Sequence, residues 1–179
     1  MDYKSLKTLE YHKIIEKLSS YAGSEAARKM CADLKPMTDI NSINDALTQT
    51  SDALSRIYAK GSVSFSGVTN IIDSIKRLEV GSTLNTHELL NISAVLTTAA
   101  AAKSHYEETN DSLTDYFNSL EPLTPLNTQI KNCIISEEEI SDDASGTLRD
   151  IRRQMRISAD RIHTELNKIL NSPSTRPCL

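Results

Sequence analysis

Between Ala144 and Leu170 the apolar residues Leu148, Ile151, Met155, Ile162, Leu166 and Ile169 fall at heptad-like steps, with Ser158 filling the position that would otherwise break the rhythm. Such spacing over about 27 residues predicts one long helix with a single apolar stripe and a wet opposite side. Composition agrees. Gly and Pro number 5 each in 179 residues, about half of average usage. Trp is absent, Phe numbers only 2 and Val only 4, a thin supply of the aromatic and Val side chains that a large sheet favours. The expected fold is therefore all-α: an irregular multi-helix bundle ending in a long helix, with at most a short β-hairpin.

The rest of the chain supplies further helices. Leu9, Ile14, Ile15, Leu18 and Tyr21 predict one over Thr8 to Ala22, ended by Gly23, and Ser24 is the N-cap of a second that Pro36 stops. Asp39 caps a third, whose apolar positions run from Ile43 through Leu47 and Leu54 to Ile57, with Gly61 as the residue after its end. Residues 61 to 69 lose the helical rhythm and read as a loop or one short extended piece. Ile71 to Leu78 resumes it until Gly81, and Asn85-Thr-His-Glu opens a long helix through Ala102. A short helix and a turn follow between Leu113 and Leu126, where Pro122 and Pro125 intervene, and Leu126, Ile130 and Ile134 begin another helical run. The acidic stretch from Cys133 to Ser145 is expected to form a turn or small hairpin.

Charge and cysteine usage narrow the function classes. A net charge of −4 argues against nucleic-acid binding through overall charge, though not against a local basic patch. Cys31, Cys133 and Cys178 are too widely spaced for a zinc motif and odd in number for a disulfide framework, so reduced thiols and a cytoplasmic setting are expected. The charged N-terminus lacks a signal-peptide core, and no apolar run is long enough for a membrane span, so no membrane partner is expected.

The candidate chemistry is sparse. The loop from Gly61 to Thr69 departs from a phosphate-binding loop, because its glycines are six apart and Val68 stands where the lysine should be. The carboxylates from Glu137 to Asp143 lack the spacing of a calcium loop and read as a solvated acidic turn. His12, His87, His105 and His163 are scattered, and no nucleophile or metalloprotease motif occurs. No catalytic, cofactor-binding or metal-binding residue is assigned, and no small-molecule substrate is expected. The one constellation is basic: Arg149, Arg152, Arg153 and Arg156 lie along one side of the last helix, with Arg161 farther on. Guanidiniums so placed suit bidentate phosphate contacts, which makes these four the candidates for touching nucleic acid. The interleaved Asp150, Asp160 and Glu165 equally suit an exposed face of mixed charge.

The order of these pieces resembles the N-terminal region of the bacterial MutS paralogue that carries a C-terminal Smr domain. The matching segments are Leu9-Glu-Tyr-His-Lys-Ile with Tyr21-Ala-Gly-Ser-Glu, Leu34-Lys-Pro-Met-Thr-Asp, Thr50-Ser-Asp-Ala-Leu, the Gly61 to Ile71 loop, Glu88-Leu-Leu-Asn-Ile, and Asp142-Asp-Ala-Ser followed by Leu148-Arg-Asp-Ile-Arg-Arg-Gln-Met-Arg. The resemblance implies a helical core over 1–143, an ascending lever helix over 144–171 and the start of a clamp over 172–179. It implies that the whole protein dimerises, hydrolyses ATP with Mg, carries an Smr endonuclease domain, binds branched DNA and collided ribosomes, suppresses homologous recombination and splits stalled ribosomes. The ATPase and Smr motifs fall outside the matched region, so this segment is expected to be non-catalytic and part of a longer protein. The lever stripe over 148–169 is expected to dock on core helices, exchange between chains or fray. Periodicity alone equally supports a stand-alone adaptor that binds a partner protein through the last helix.

Overall fold

The computed structural model describes residues 3–106 and 109–172. Among them are nine α-helices and no sheet, as the composition predicts. The chain divides into two compact units, residues 1–130 and 131–179.

The first unit opens with α1 (Tyr3–Thr8) and α2 (Tyr11–Tyr21), not with the single helix expected over Thr8 to Ala22. Glu10 takes a left-handed conformation at φ 53°, which breaks the helix between Thr8 and Tyr11. Leu9, counted on the helix face from the sequence, is exposed at the break. The next helices follow the caps. Ser24 accepts from the Ala27 amide at the start of α3 (Glu25–Ala32), and Asp39 accepts from the Ser42 amide at the start of α4 (Ile40–Lys60). Gly61 closes α4 at φ 82°, a conformation that side-chain-bearing residues rarely adopt. Residues 61–69 form a loop, followed by α5 (Ile72–Glu79) and α6 (Thr86–His105). Asn85 and Glu88 form a reciprocal capping box at the start of α6, and Arg77 of α5 donates to the same Glu88 at 2.5 Å. The short α7 (Thr114–Asn118) follows, and α8 (Thr124–Cys133) begins beside Pro125.

Among the described residues of this unit few apolar side chains are buried: Leu96, Ala102, Tyr106 and Ile130. Polar contacts therefore carry much of the packing. Ser93 of α6 donates to the Asn127 side chain of α8 at 2.6 Å, and Asn127 donates to Thr97 at 3.0 Å. The strongest is Arg56 of α4, whose Nε and Nη2 meet the two carboxylate oxygens of Asp111 at 2.7 and 2.5 Å. Its guanidinium carbon lies 4.6 Å from the Phe117 ring centre and 5.2 Å from that of Tyr106. The Tyr106 hydroxyl donates to the Gly61 carbonyl at 3.2 Å, so the α4 terminus, α6 and α7 meet at one point.

Breaking that pair by Asp111→Ala leaves the Arg56 charge buried without its carboxylate, at a cost of about 3 kcal/mol, measurable by chemical denaturation. The hydrogen bond from Arg56 holds the Asp111 carboxyl below the ordinary aspartate range. Its contribution is thus complete above that range and disappears as pH falls through the lowered value. The native chain should lose this stability in acid, and Asp111→Asn should lack that part of the pH dependence.

Candidate nucleic-acid interface

The second unit holds all four candidate arginines. After α8 the chain turns through residues 134–140, where Ile134 and Ile140 form an isolated antiparallel bridge. The Ser141 amide returns to the Cys133 carbonyl at 2.8 Å. This is the small hairpin-like turn expected of the acidic stretch, reduced to one bridge. Asp142–Ala144 then form a 3-10 turn, and Ser145 caps α9 (Gly146–Leu170) by accepting from the Leu148 amide at 3.1 Å.

The turn folds back over the first turns of α9. Arg152 Nη1 donates to Asp142 Oδ1 at 2.5 Å and to the Ile140 carbonyl at 2.7 Å. Arg156 Nη2 reaches Asp142 Oδ2 at 3.2 Å, and Arg149 pairs with Asp143. Asp142 therefore spans two guanidiniums with its two oxygens. The hydrogen bond from Arg152 is the main cause holding its carboxyl below the ordinary range, and the charges of Arg152 and Arg156 add to it. Arg153 lies on the same side of α9 and makes no ion pair among the described residues.

The sequence places the four arginines on one side of a helix, and the structure keeps them there. The carboxylates that three of them meet, Asp142 and Asp143, belong to the stretch whose spacing suggests only a solvated turn. A signal for the pairing existed: basic side chains near a helix N-terminus face the positive end of its dipole, so nearby carboxylates are their natural partners.

Along the opposite stripe, Ile151, Met155, Ile162, Leu166 and Ile169 are all at least half exposed, yet α9 is continuous over 25 residues. The capped first turn and its ion pairs hold the start of the helix, and Lys168 pairs with Glu165 at 2.6 Å near its end.

The remaining candidates do not assemble into a reactive centre. Among the described residues no three His, Cys, Asp or Glu side chains gather to hold a metal ion, and no helix is long and apolar enough to cross a membrane. The 61–69 loop does not fit a nucleotide phosphate, because Val68 cannot supply the cationic reach of a lysine. Cys31 and Cys133 are free thiols; Cys178 and the expected clamp residues 173–179 lie outside the described residues.

The whole chain is 55% identical to a protein named Endonuclease MutS2 from Lachnospira eligens and 50% identical to the Endonuclease MutS2 of Lachnoclostridium phytofermentans. It is 46% identical to the one from Agathobacter rectalis. The chain thus corresponds to the N-terminal region of the MutS2 proteins. It spans about 23% of the length of these curated relatives. No family model matches it. The Asp142-Asp-Ala-Ser and Leu148-to-Arg156 segments on which the MutS2 resemblance partly rests are the ones the structure joins through Asp142 and the arginines.

Replacing Asp142 with Asn should loosen the turn from α9. Amide exchange across residues 140–152 should quicken relative to the native chain, while exchange in α6 stays unchanged. Because the Asp142 carboxyl titrates below its ordinary range, the native chain should reach the same loosened state only in acid, as pH falls through that lowered value.

Proposed function

We propose that this chain is the non-catalytic helical core and ascending-lever segment of a MutS-like, ATP-dependent nucleic-acid-binding protein. The observation that carries the reading is α9: a continuous 25-residue rod whose first turns are tied by three arginines to the preceding acidic turn. A part that transmits motion between a distant clamp and an ATPase must resist bending at its root, and this arrangement supplies that stiffness. The printed name of the relatives supports nuclease activity in the whole protein. ATP and Mg, an Smr endonuclease domain, a homodimer, a cytoplasmic setting and binding of branched DNA or collided ribosomes come from the family resemblance. So do suppression of recombination and splitting of stalled ribosomes. All of these are proposals for the full-length protein.

Within the segment, phosphate contact falls first to Arg153. Arg149, Arg152 and Arg156 already hold carboxylates, and a phosphate would have to compete with Asp142 or Asp143 for them. In the full-length protein, Arg153→Glu should weaken binding to branched DNA or ribosomes and reduce the salt slope of the affinity by about one. Unchanged affinity and slope, in this variant and in Arg152→Glu/Arg153→Glu, would remove the arginines from the interface. The exposed stripe of α9 supports a second reading, an adaptor that binds a partner protein. Its signature is binding that salt leaves unchanged and that Ile162→Asp abolishes.

A further inference from the structure

Two of the three Arg56 nitrogens are engaged. Nε and Nη2 donate to the Asp111 carboxylate, and Nη2 also comes within 3.4 Å of the Thr114 hydroxyl oxygen. Nη1 is buried and finds no acceptor among the described residues. A guanidinium N–H taken out of water without an acceptor loses its hydration and gains nothing in return, and folded chains keep few such groups. The whole side chain retains only 4% of its accessible surface, so bulk solvent does not make up the deficit.

The planar fork limits where Nη1 points. Nε–H and one Nη2–H run parallel towards Asp111, so the Nη1 hydrogens leave the guanidinium along other edges. Arg56 forms part of the wall of a cavity of about 370 Å³. Asp111 does not belong to that wall, whereas Thr114, beside the outer edge of the fork, does. Lys103 of α6 is the other charged residue of the wall. Its ammonium donates to the Leu120 carbonyl at 2.9 Å and to that of Asn118 at 3.4 Å, and it meets no carboxylate among the described residues. An ammonium carries three N–H donors, so one remains for a ligand. The Arg56 charge is balanced by Asp111 from the far side, and the Lys103 charge is not. Tyr106 and Phe117 contribute ring surface to the same wall, which lowers the local dielectric and strengthens attraction to an opposite charge. A neutral ligand would answer Nη1 and leave Lys103 unmatched, whereas an oxyanion answers both.

We propose that this cavity is a binding site for a small oxyanion, a phosphate or a carboxylate, held between Arg56 Nη1 and the Lys103 ammonium. The site lies within the first unit and is independent of the α9 arginines and of any nucleic-acid contact.

Titration of the 179-residue chain with sodium phosphate and, separately, with sodium acetate tests it, at an ionic strength held constant with chloride. The readout is the set of Arg56 guanidinium nitrogen resonances, with calorimetry alongside. At least one of the two anions should move those resonances along a saturable one-site curve with a dissociation constant below about 10 mM, and chloride should not. Which anion saturates identifies the class. Lys103→Gln should raise the constant roughly tenfold, while Lys103→Arg, which keeps the charge-assisted bond, should leave it near the native value. Circular dichroism on each variant separates lost binding from lost helix, and Arg56 itself stays intact because its replacement would undo the contact with Asp111. Shifts that rise linearly up to about 100 mM with both anions overturn the proposal. So does saturation that Lys103→Gln leaves unchanged. Saturation that appears only after Glu107→Gln and Glu108→Gln overturns it too, since the chain's own carboxylates would then fill the place.

Discussion

A guanidinium taken almost wholly out of water organises the first unit. Arg56 retains only 4% of its accessible surface, and a charge so placed must be met from several sides or it would unfold its surroundings. Asp111 meets it with two oxygens, while Phe117 and Tyr106 offer their ring faces. Each partner is itself held in place. The Asp111 carboxylate also accepts from the Leu113 amide at 2.9 Å, and Asp52, one turn before Arg56 on α4, accepts from the Ser112 amide and hydroxyl. One buried cation thus fixes the start of α7 against the C-terminal half of α4. With so few buried apolar side chains among the described residues, this polar knot supplies a directional contact that apolar packing alone does not.

The second unit meets a related problem at its surface. Arg149 and Arg152 lie within the first two turns of α9, where the helix dipole disfavours positive charge. Asp142 and Asp143 stand just before the cap, on the side that dipole favours, and neutralise the arginines there. The acidic turn and the basic helix face, which look like opposite features along the sequence, are one electrostatic unit. That unit couples the direction of the chain leaving α8 to the direction of α9, because Arg152 also grips the Ile140 carbonyl.

What the sequence disclosed followed from the range of the interactions. Ser24, Asp39, Asn85 with Glu88, Gly61 and Gly81 act within one helical turn of where they stand, and each marks a boundary the structure keeps. The Thr8 to Ala22 helix misled because its apolar spacing is helical on both sides of Glu10, while the left-handed turn there leaves no mark in periodicity. Arg56 and Asp111 are 55 residues apart, and neither has a neighbour that announces burial. The four arginines were legible as a group; their carboxylate partners were not, because a chain reversal of unknown geometry separates them.

The capped root and the exposed stripe of α9 make different demands on whatever covers the helix. Ion pairs at the root are strongest at low salt and give the first turns a fixed orientation, whereas the stripe gains from burial at any salt concentration. Any helix laid on the stripe must therefore lie along residues 148–169 without displacing Asp142 from Arg152. The stripe and the Asp142-facing side of α9 are set apart around the helix, with Arg152 between them. The Arg152 guanidinium, bound to both the Ile140 carbonyl and Asp142, ties the turn to the rod from a position at the stripe's edge.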